Sequence, residues 1–214
     1  MQTHLANIDQ SVVVVLDMQP NFLKAVIDSE QILQRSLFFL EISKLLNVPV
    51  LVTEQNPLKM GGVDPQLSEV MEEEYPLFAK MSFSCSGSEP FLQHLKKPNR
   101  KQVFLIGIET HICMNQTAQA LTDLGYEVFV ICDAISARTA LAHQIGLSRI
   151  KQGGSILTHS ESVAYEWMES AEHPDFREVL ELVKKYTVEE DSLLYAMAAQ
   201  EAGPLGIYWN TPPL

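Results

Sequence analysis

The sequence has few basic residues and few cysteines, and both shortages exclude classes of protein. Its 15 Lys and Arg stand against 27 Asp and Glu, for a formal net charge of −12. A chain this acidic repels phosphate backbones and anionic membrane surfaces, so we expect neither nucleic acid nor a membrane as a partner. The three cysteines are an odd number and form no CxxC pair, which indicates free thiols in a reducing compartment.

Long apolar segments and a secretory leader are also lacking. The apolar run Val12–Leu16 is short, whereas a membrane-spanning helix needs about 20 residues. Residues 1–10 show no basic start followed by an apolar stretch, which a secretory signal would have. We therefore expect a cytoplasmic protein. At 46% hydrophobic and 20% charged residues, the 214-residue chain has the composition of a globular protein.

Short apolar runs alternate with segments of helical periodicity along most of the chain. The runs predict strands over residues 12–16, 49–52, 77–80, 102–106, 127–131 and 155–157. Helices are predicted over residues 32–46, 66–73, 89–97, 111–124, 139–151, 160–169, 175–186 and 190–200. This alternation predicts a parallel sheet covered by helices on both faces. No linker divides the chain, so we expect residues 1–214 to form one domain with 187–214 as a C-terminal extension.

Three reactive side chains follow predicted strands at their carboxyl ends. Asp17 follows the first strand, Lys80 ends a short strand, and Cys113 lies a few residues beyond the strand that ends at Gly107. Ligands of an open parallel sheet bind at this edge. Cys113 would become a nucleophile if the Asp17 carboxylate took the thiol proton. The Lys80 ammonium and a helix N-terminus at Cys113 would favour the thiolate.

Each of these residues also fits an ordinary structural role. Asp17 suits a turn or a helix cap, Lys80 a solvated position, and Cys113 a small buried apolar position. The histidines are scattered, and we interpret them as solvated or capping residues, except for His111 in the segment before Cys113. Spacing alone therefore leaves the functional and structural interpretations about equal.

Four segments of the sequence resemble motifs of the isochorismatase-like cysteine hydrolases. Residues 14–22 (VVLDMQPNF) look like the first-strand motif, and residues 78–84 (FAKMSFS) look like the lysine motif. Residues 105–118 (LIGIETHICMNQTA) resemble the nucleophile motif closely, and residues 132–138 (CDAISAR) also fit. The resemblance runs from Ser11 to Trp167 in the family's order, and the nucleophile motif is long and specific.

The resemblance implies an α/β fold, namely a three-layer αβα sandwich with a six-stranded parallel sheet, Rossmann-like and often found in homo-oligomers. It implies Asp17, Lys80 and Cys113 as a catalytic triad. It further implies a cis peptide bond between Ile108 and Glu109, with the backbone N–H groups of Glu109 and Cys113 forming an oxyanion hole.

Two sub-groups of the family do not fit the sequence. Nicotinamidases carry an Asp and several His after the second strand for a metal, whereas residues 53–62 here contain no histidine. We therefore expect neither a metal nor another cofactor. True isochorismatases do not need the cysteine, which this chain retains. Residues 53–57 (TEQNP) look most like the isochorismatase domain-containing group, whose substrates are largely undefined.

The function predicted from these residues is a hydrolase. Cys113, with the Asp17 and Lys80 pair, would cleave a small amide-type C–N bond through an acyl-thioester. The alternative is a non-catalytic binding or scaffold protein on the same fold, or a redox sensor. Residues that we expect to line the substrate pocket are Phe22, Glu54, Gln55, Phe83 and Ile112.

Two further expectations concern cysteines and partners. Cys85 is expected to be exposed in a polar loop, and Cys132 to end a buried strand. Besides a small-molecule substrate, we expect further copies of the chain as partners. The reason is that the apolar residues 207–209 near the C-terminus must pack on something, either their own domain or a neighbouring subunit.

Overall fold

The computed structural model describes residues 4–71 and 75–186. The helix predicted over 190–200, the apolar residues 207–209 and the rest of the 187–214 extension lie outside these described residues. The strands are β1 (Ser11–Leu16), β2 (Val50–Gln55), β3 (Leu77–Lys80), β4 (Gln102–Ile108), β5 (Glu127–Ser136) and β6 (Ile156–Thr158). The helices are α1 (Pro20–Leu23), α2 (Ser29–Leu45), α3 (Pro57–Met60), α4 (Pro65–Met71), α5 (Glu89–Lys96), α6 (Asn115–Asp123), α7 (Ala140–Gln152), α8 (Ser160–Met168) and α9 (Phe176–Lys185).

The six strands form one parallel sheet in the order β3-β2-β1-β4-β5-β6. Every residue of β1, β2 and β4 is buried, which agrees with strands covered by helices on both faces. The predicted three-layer α/β fold is therefore confirmed. Of the helices in the described part of the chain, none is both long and apolar enough to cross a membrane.

An apolar cluster lies on each face of the sheet. One cluster combines Val13 and Val15 with side chains of α2, α4, α8 and α9. The other combines Val12, Val14 and Leu16 with side chains of α5, α6 and α7. The alternating valines of β1 thus contribute to both clusters, which is why this strand carries apolar residues without alternation.

The strands and helices differ from the prediction mainly in short or irregular segments. The single turns α1 and α3 were not predicted, because four residues are too few to show helical periodicity. Strand β5 continues to Ser136, because its pairing register with β4 shifts between Leu105 and Gly107. Cys132 therefore lies inside β5 rather than at its end, and that prediction was wrong.

The strand order changes direction between β1 and β4, and Gly107 allows the two strands to lie close there. Leu16 pairs with Gly107, whose φ is +124°. A Cβ atom on Gly107 would lie 2.1 Å from the Leu16 carbonyl oxygen. Only glycine fits this position. The crevice outside such a reversal is where open α/β sheets bind ligands.

We expect Gly107→Ala to lower the free energy of unfolding by about 3 kcal/mol, because it adds a backbone clash to an unfavourable φ. Gly125→Ala is the matched control, since Gly125 has a φ of +85° but nothing within 4 Å of its Cβ position. It should cost about 1 kcal/mol. Urea unfolding of both variants measures the difference, and equal losses would show that the contact with Leu16 is unimportant.

Candidate active site

Asp17 directly follows β1 and is buried at the crevice. Its φ of +54° lies in the left-handed region, which aspartate tolerates better than most residues. Its Oδ1 accepts a hydrogen bond of 2.9 Å from Thr53 Oγ1, and its Oδ2 accepts one of 2.6 Å from Lys80 Nζ. Both carboxylate oxygens are therefore held by side chains from the neighbouring strands β2 and β3.

Lys80 is the last residue of β3, and its ammonium is buried among oxygen atoms. Besides Asp17, Nζ donates to Gln55 Oε1 at 2.7 Å and to the carbonyl oxygens of Phe83 at 3.1 Å and Ser82 at 3.2 Å. Side-chain exposure is 0% for Lys80 and 2% for Asp17. The two opposite charges therefore compensate each other where bulk solvent scarcely reaches them.

Cys113 lies in a π-helical turn, Thr110–Met114, that begins just after β4 and leads into α6. The wide turn is closed by a hydrogen bond of 3.3 Å from the Met114 N–H to the Glu109 carbonyl oxygen. Cys113 Sγ lies 3.9 Å from Lys80 Nζ, and the Asp17 carboxylate is near enough to shift the pKa of the thiol. The structure thus brings together the three side chains that the sequence predicted.

The surroundings of the Cys113 thiol act on its pKa in opposite directions. Burial raises the pKa of the Cys113 thiol, and the negative charge of Asp17 raises it further, against an opposing effect of Lys80. Lys80 is closer to Asp17 than to the sulfur, so its charge acts mainly on the carboxylate. Lys80 therefore favours the thiolate less than burial and Asp17 together favour the protonated thiol.

The predicted cis peptide bond between Ile108 and Glu109 is present. The Glu109 carbonyl oxygen accepts hydrogen bonds from the N–H groups of Ile112 and Met114, which holds the start of the π turn in place. Glu109 and the turn Thr110–Met114 are together called the nucleophile turn below. The Glu109 carboxylate accepts a hydrogen bond of 2.9 Å from Arg138 Nε. Glu109 thus connects the turn to the segment that follows β5.

Of the five predicted pocket residues, Gln55 contacts the site most directly. Its Oε1 binds Lys80, and its Nε2 donates to the Met81 carbonyl oxygen at 2.9 Å. Glu54 is buried too, but its carboxylate accepts a hydrogen bond of 2.8 Å from the Val63 N–H. Glu54 therefore holds the loop after β2 rather than the charged site.

The three apolar members of the predicted pocket lie in different surroundings. Phe83 contributes its carbonyl oxygen to Lys80, while its side chain is 53% exposed. Phe22 is partly buried against one apolar cluster, and Ile112 is partly buried against the cluster on the opposite face of the sheet. Their role as pocket walls stays a prediction.

Two polar residues that support Asp17 and Gln55 were not predicted. Thr53 holds Asp17 Oδ1, and it stands near the carboxyl end of β2, where the rule used for Asp17 and Lys80 would have found it. Gln19 is fully buried; its Oε1 accepts a hydrogen bond from the Gln55 N–H, and its Nε2 donates to the Gly61 carbonyl oxygen. The signal in the sequence that could have found Gln19 was its position two residues after Asp17.

Cys85 is fully buried, so the expectation of an exposed thiol was wrong. Its N–H donates to Thr117 Oγ1 at 3.1 Å, and its Sγ lies 3.8 Å from Thr53 Oγ1. Burial raises its pKa to about 11, with a further contribution from Asp17. The polar loop folds inward because its serines bond to one another, as Ser84 and Ser86 do.

His143 is also buried, contrary to the interpretation of the histidines as solvated or capping residues. Its Nδ1 shares a hydrogen bond of 2.9 Å with Thr110 Oγ1 in the nucleophile turn. Burial lowers its pKa to about 4, so the ring is neutral at pH 7. His143 shares one face of α7 with Gly146 and Ile150, and this helical spacing in the sequence would have indicated that His143 is buried. His159 does cap a helix, since it accepts from the Glu161 N–H.

Metal ligands are not grouped in this part of the molecule. Within residues 4–71 and 75–186, no three His, Cys, Asp or Glu side chains are placed to hold one ion. The chemistry that the site offers therefore rests on a thiol, a carboxylate and an ammonium.

Comparisons with known proteins identify the family of the chain. The isochorismatase domain matches residues 11–162. Isochorismatase domain-containing protein 2 of Xenopus laevis is 35% identical over 173 residues, covering 81% of this chain and 83% of that protein. The secreted isochorismatase effector Isc1 of Phytophthora sojae is 35% identical over 180 residues, covering 82% and 85%. Because one relative is named as secreted, a cytoplasmic location stays a prediction.

Solved structures share the fold. The structure titled MAR1 ribonuclease from Caenorhabditis elegans has a TM-score of 0.81 and 32% identity, with 86% of this chain and 95% of that chain covered. The YcaC gene product of Escherichia coli, described as an octameric hydrolase of unknown specificity, has a TM-score of 0.77 and 21% identity, with 87% and 100% covered. The matched domain and these relatives show that the chain belongs to the isochorismatase-like family and has its hydrolase fold.

Proposed function

We propose that this protein is a cysteine hydrolase that cleaves the C–N bond of a small amide. Cys113 is the nucleophile, Asp17 moves the protons, and Lys80 holds Asp17 in place through their ion pair. The observation that carries the proposal is the buried contact of these three groups at the strand-order reversal. Nζ lies 2.6 Å from Asp17 Oδ2 and 3.9 Å from Cys113 Sγ.

The first half of the reaction forms an acyl-enzyme. Asp17 takes the thiol proton while Cys113 Sγ bonds to the substrate carbonyl carbon, so the thiolate forms only as it attacks. The carbonyl oxygen becomes an oxyanion, which the N–H groups of Glu109 and Cys113 stabilise. Asp17 then passes its proton to the departing amine as the C–N bond breaks, and an acyl-thioester on Cys113 remains.

The second half of the reaction uses water. Asp17 takes a proton from a water molecule, whose oxygen attacks the thioester carbonyl carbon. The C–S bond breaks, the acid leaves, and the proton on Asp17 returns to Cys113. Atoms and charges then match the starting state. A thiol with a raised pKa suits this cycle, because the proton leaves Sγ only when Asp17 takes it during the attack.

The other interpretations of the site fit the structure less well. A redox sensor needs an accessible thiolate, whereas Cys113 is 7% exposed and its pKa is raised. The relative titled as a ribonuclease raises RNA as a substrate. We favour the amide because the net charge of −12 opposes binding of a phosphate backbone. A non-catalytic binding protein would not need a thiol beside an ion pair.

We expect p-nitrophenyl acetate, used as a simple acyl donor, to acetylate Cys113. Peptide mass spectrometry should find one acetyl group on the peptide that contains Cys113. Cys113→Ala should lower hydrolysis of the ester about a thousandfold or more. The matched control is Cys132→Ala, which removes a more exposed thiol outside the site.

Acetylation at another residue, or hydrolysis that survives Cys113→Ala, would contradict the covalent mechanism. Fluorescent RNA oligonucleotides provide the second arm of the experiment. Cleavage that depends on Cys113, together with failure to hydrolyse acyl donors and small amides, would favour a ribonuclease over an amide hydrolase.

We expect Asp17→Asn to separate thiol reactivity from turnover. The substitution removes the negative charge that raises the pKa of Cys113, while Gln55 and two carbonyl oxygens still hold Lys80. Alkylation needs the thiolate, so its rate rises with pH up to the thiol pKa. At pH 7.5 iodoacetamide should therefore react about tenfold faster with Cys113 for each unit by which the pKa falls.

Ester hydrolysis by the same Asp17→Asn variant should fall about a hundredfold or more, because the proton carrier is gone. Lys80→Met is the matched opposite change. It removes the positive charge that lowers the thiol pKa, so Cys113 should be alkylated more slowly than in the wild type. Slower alkylation in Asp17→Asn would show that Asp17 does not hold the thiol in its protonated form.

The expected homo-oligomer is also part of the proposal. It rests on the apolar residues 207–209 in the sequence, and a solved protein of this fold is described as octameric. Removing the residues after Gly203 should lower the molar mass of the assembly measured by light scattering. An unchanged mass would show that the tail does not hold subunits together.

A further inference from the structure

One segment of the chain contacts three consecutive residues of the nucleophile turn. This segment comprises the end of β5, the residues after it and the first half of α7, and we call Arg138, His143 and Gly146 the α7 clamp. They contact Glu109, Thr110 and His111 respectively. The clamp residues themselves do not belong to the proposed triad.

The contact between His143 and Thr110 is the most buried of the three. Thr110 is 0% exposed and His143 is 4% exposed, and their side chains share a hydrogen bond of 2.9 Å. A buried hydrogen-bonded pair fixes the relative position of its two elements, because separating the two groups would leave each of them buried with an unmade hydrogen bond. Thr110 is the first residue of the π turn that carries Cys113.

The contact at Gly146 leaves no space between α7 and the turn. A Cβ atom on Gly146 would lie 2.9 Å from the His111 backbone nitrogen and 3.0 Å from the His111 Cα. The backbone of the turn therefore rests directly on the backbone of α7. This close approach requires a residue without a side chain and limits movement of the turn toward α7.

The third contact, from Arg138 to Glu109, lies nearer the surface. Arg138 Nε is 2.9 Å from Glu109 Oε2, but the Arg138 side chain is 57% exposed. Exposed ion pairs hold geometry weakly. We therefore assign Arg138 a supporting role and expect the buried pair and the glycine contact to determine the position of the turn.

We propose that the α7 clamp, through the His143–Thr110 hydrogen bond, holds two parts of the site in position. It places Cys113 Sγ beside Asp17, and it directs the N–H groups of Glu109 and Cys113 toward the substrate oxygen. This inference rests on the proposed function. His143 is a positioning residue because it acts on the turn and touches neither Asp17 nor Lys80. Small displacements of a nucleophile are costly in enzymes, since a shift of about 1 Å can lower the rate about a hundredfold.

Cysteine alkylation in the full-length protein tests the α7 clamp. The rate at which iodoacetamide modifies each cysteine is measured against pH by peptide mass spectrometry. In His143→Leu the turn loses its polar partner, and Sγ moves away from the carboxylate that keeps it protonated. We expect Cys113 to react about tenfold faster at pH 7.5, which corresponds to a fall of about one unit in its pKa.

Cys85 serves as an internal measure of general loosening because it is fully buried beside the same site. It should stay protected in His143→Leu. His143→Asn, whose side-chain amide can occupy the Nδ1 position, should keep the Cys113 rate within about twofold of the wild type. Thr110→Val should match His143→Leu, and the double variant should show no further increase, because both changes remove one hydrogen bond.

Ile150→Val is the matched control for lost packing, since Ile150 is a buried residue of α7 outside the clamp. It should leave the Cys113 profile unchanged. An unchanged Cys113 rate in His143→Leu, or a parallel rise at Cys85 and Cys113, would overturn the clamp. Acetylation of wild-type Cys113 tests the proposed function separately, so a failure of the clamp and a failure of the hydrolase mechanism are distinguishable.

Discussion

The buried ion pair between Asp17 and Lys80 is the constraint on which the rest of the site depends. Removing one partner of a buried pair costs about 3–5 kcal/mol, because the remaining charge is left without compensation. The pair joins the ends of β1 and β3 across β2, so all three strands must keep their parallel register. Thr53 and Gln55 belong to β2, the strand between β1 and β3; Thr53 bonds to Asp17, and Gln55 bonds to Lys80. The same pairing directs the positive charge of Lys80 to Asp17 rather than to the thiol.

The nucleophile turn is placed by contacts from two sides. Below it, β4 lies against β1 so closely that only glycine fits at position 107. Beside it, α7 reaches the turn through His143 and Gly146. Cys113 therefore lies near Asp17 because the packing of β4 against β1 and the packing of α7 against the turn both determine where the turn lies. The same packing buries the thiol and raises its pKa, which suits the reaction proposed above, in which the thiolate forms only during attack.

Much of the fold could be predicted because its signals are local. The consecutive valines of β1 can only be a strand buried on both faces, and Asp17 and Lys80 follow their strands directly. Because residues 105–118 resemble the nucleophile motif of the family, Cys113 and the cis peptide bond could be predicted. The errors concern the exposure of Cys85 and of His143, and the direction in which the pKa of the Cys113 thiol shifts also could not be read from the sequence. Each depends on which distant residue lies beside the group: Thr53 and Thr117 for Cys85, Thr110 for His143, and Asp17 for Cys113.

By itself, the sequence determined the order of most strands and helices along the chain, the parallel sheet and the three residues that we propose as reactive groups. Those features follow from residue periodicity, from the position of polar residues at strand ends and from motif residues that are adjacent in the chain. Only the tertiary structure decided how the charges are shared and what holds the turn. Electrostatic shifts and hydrogen bonds vary with distances of a few ångströms between elements far apart in sequence. For Asp17 and Lys80 that distance is 2.6 Å, set by the packing of the sheet and its helices.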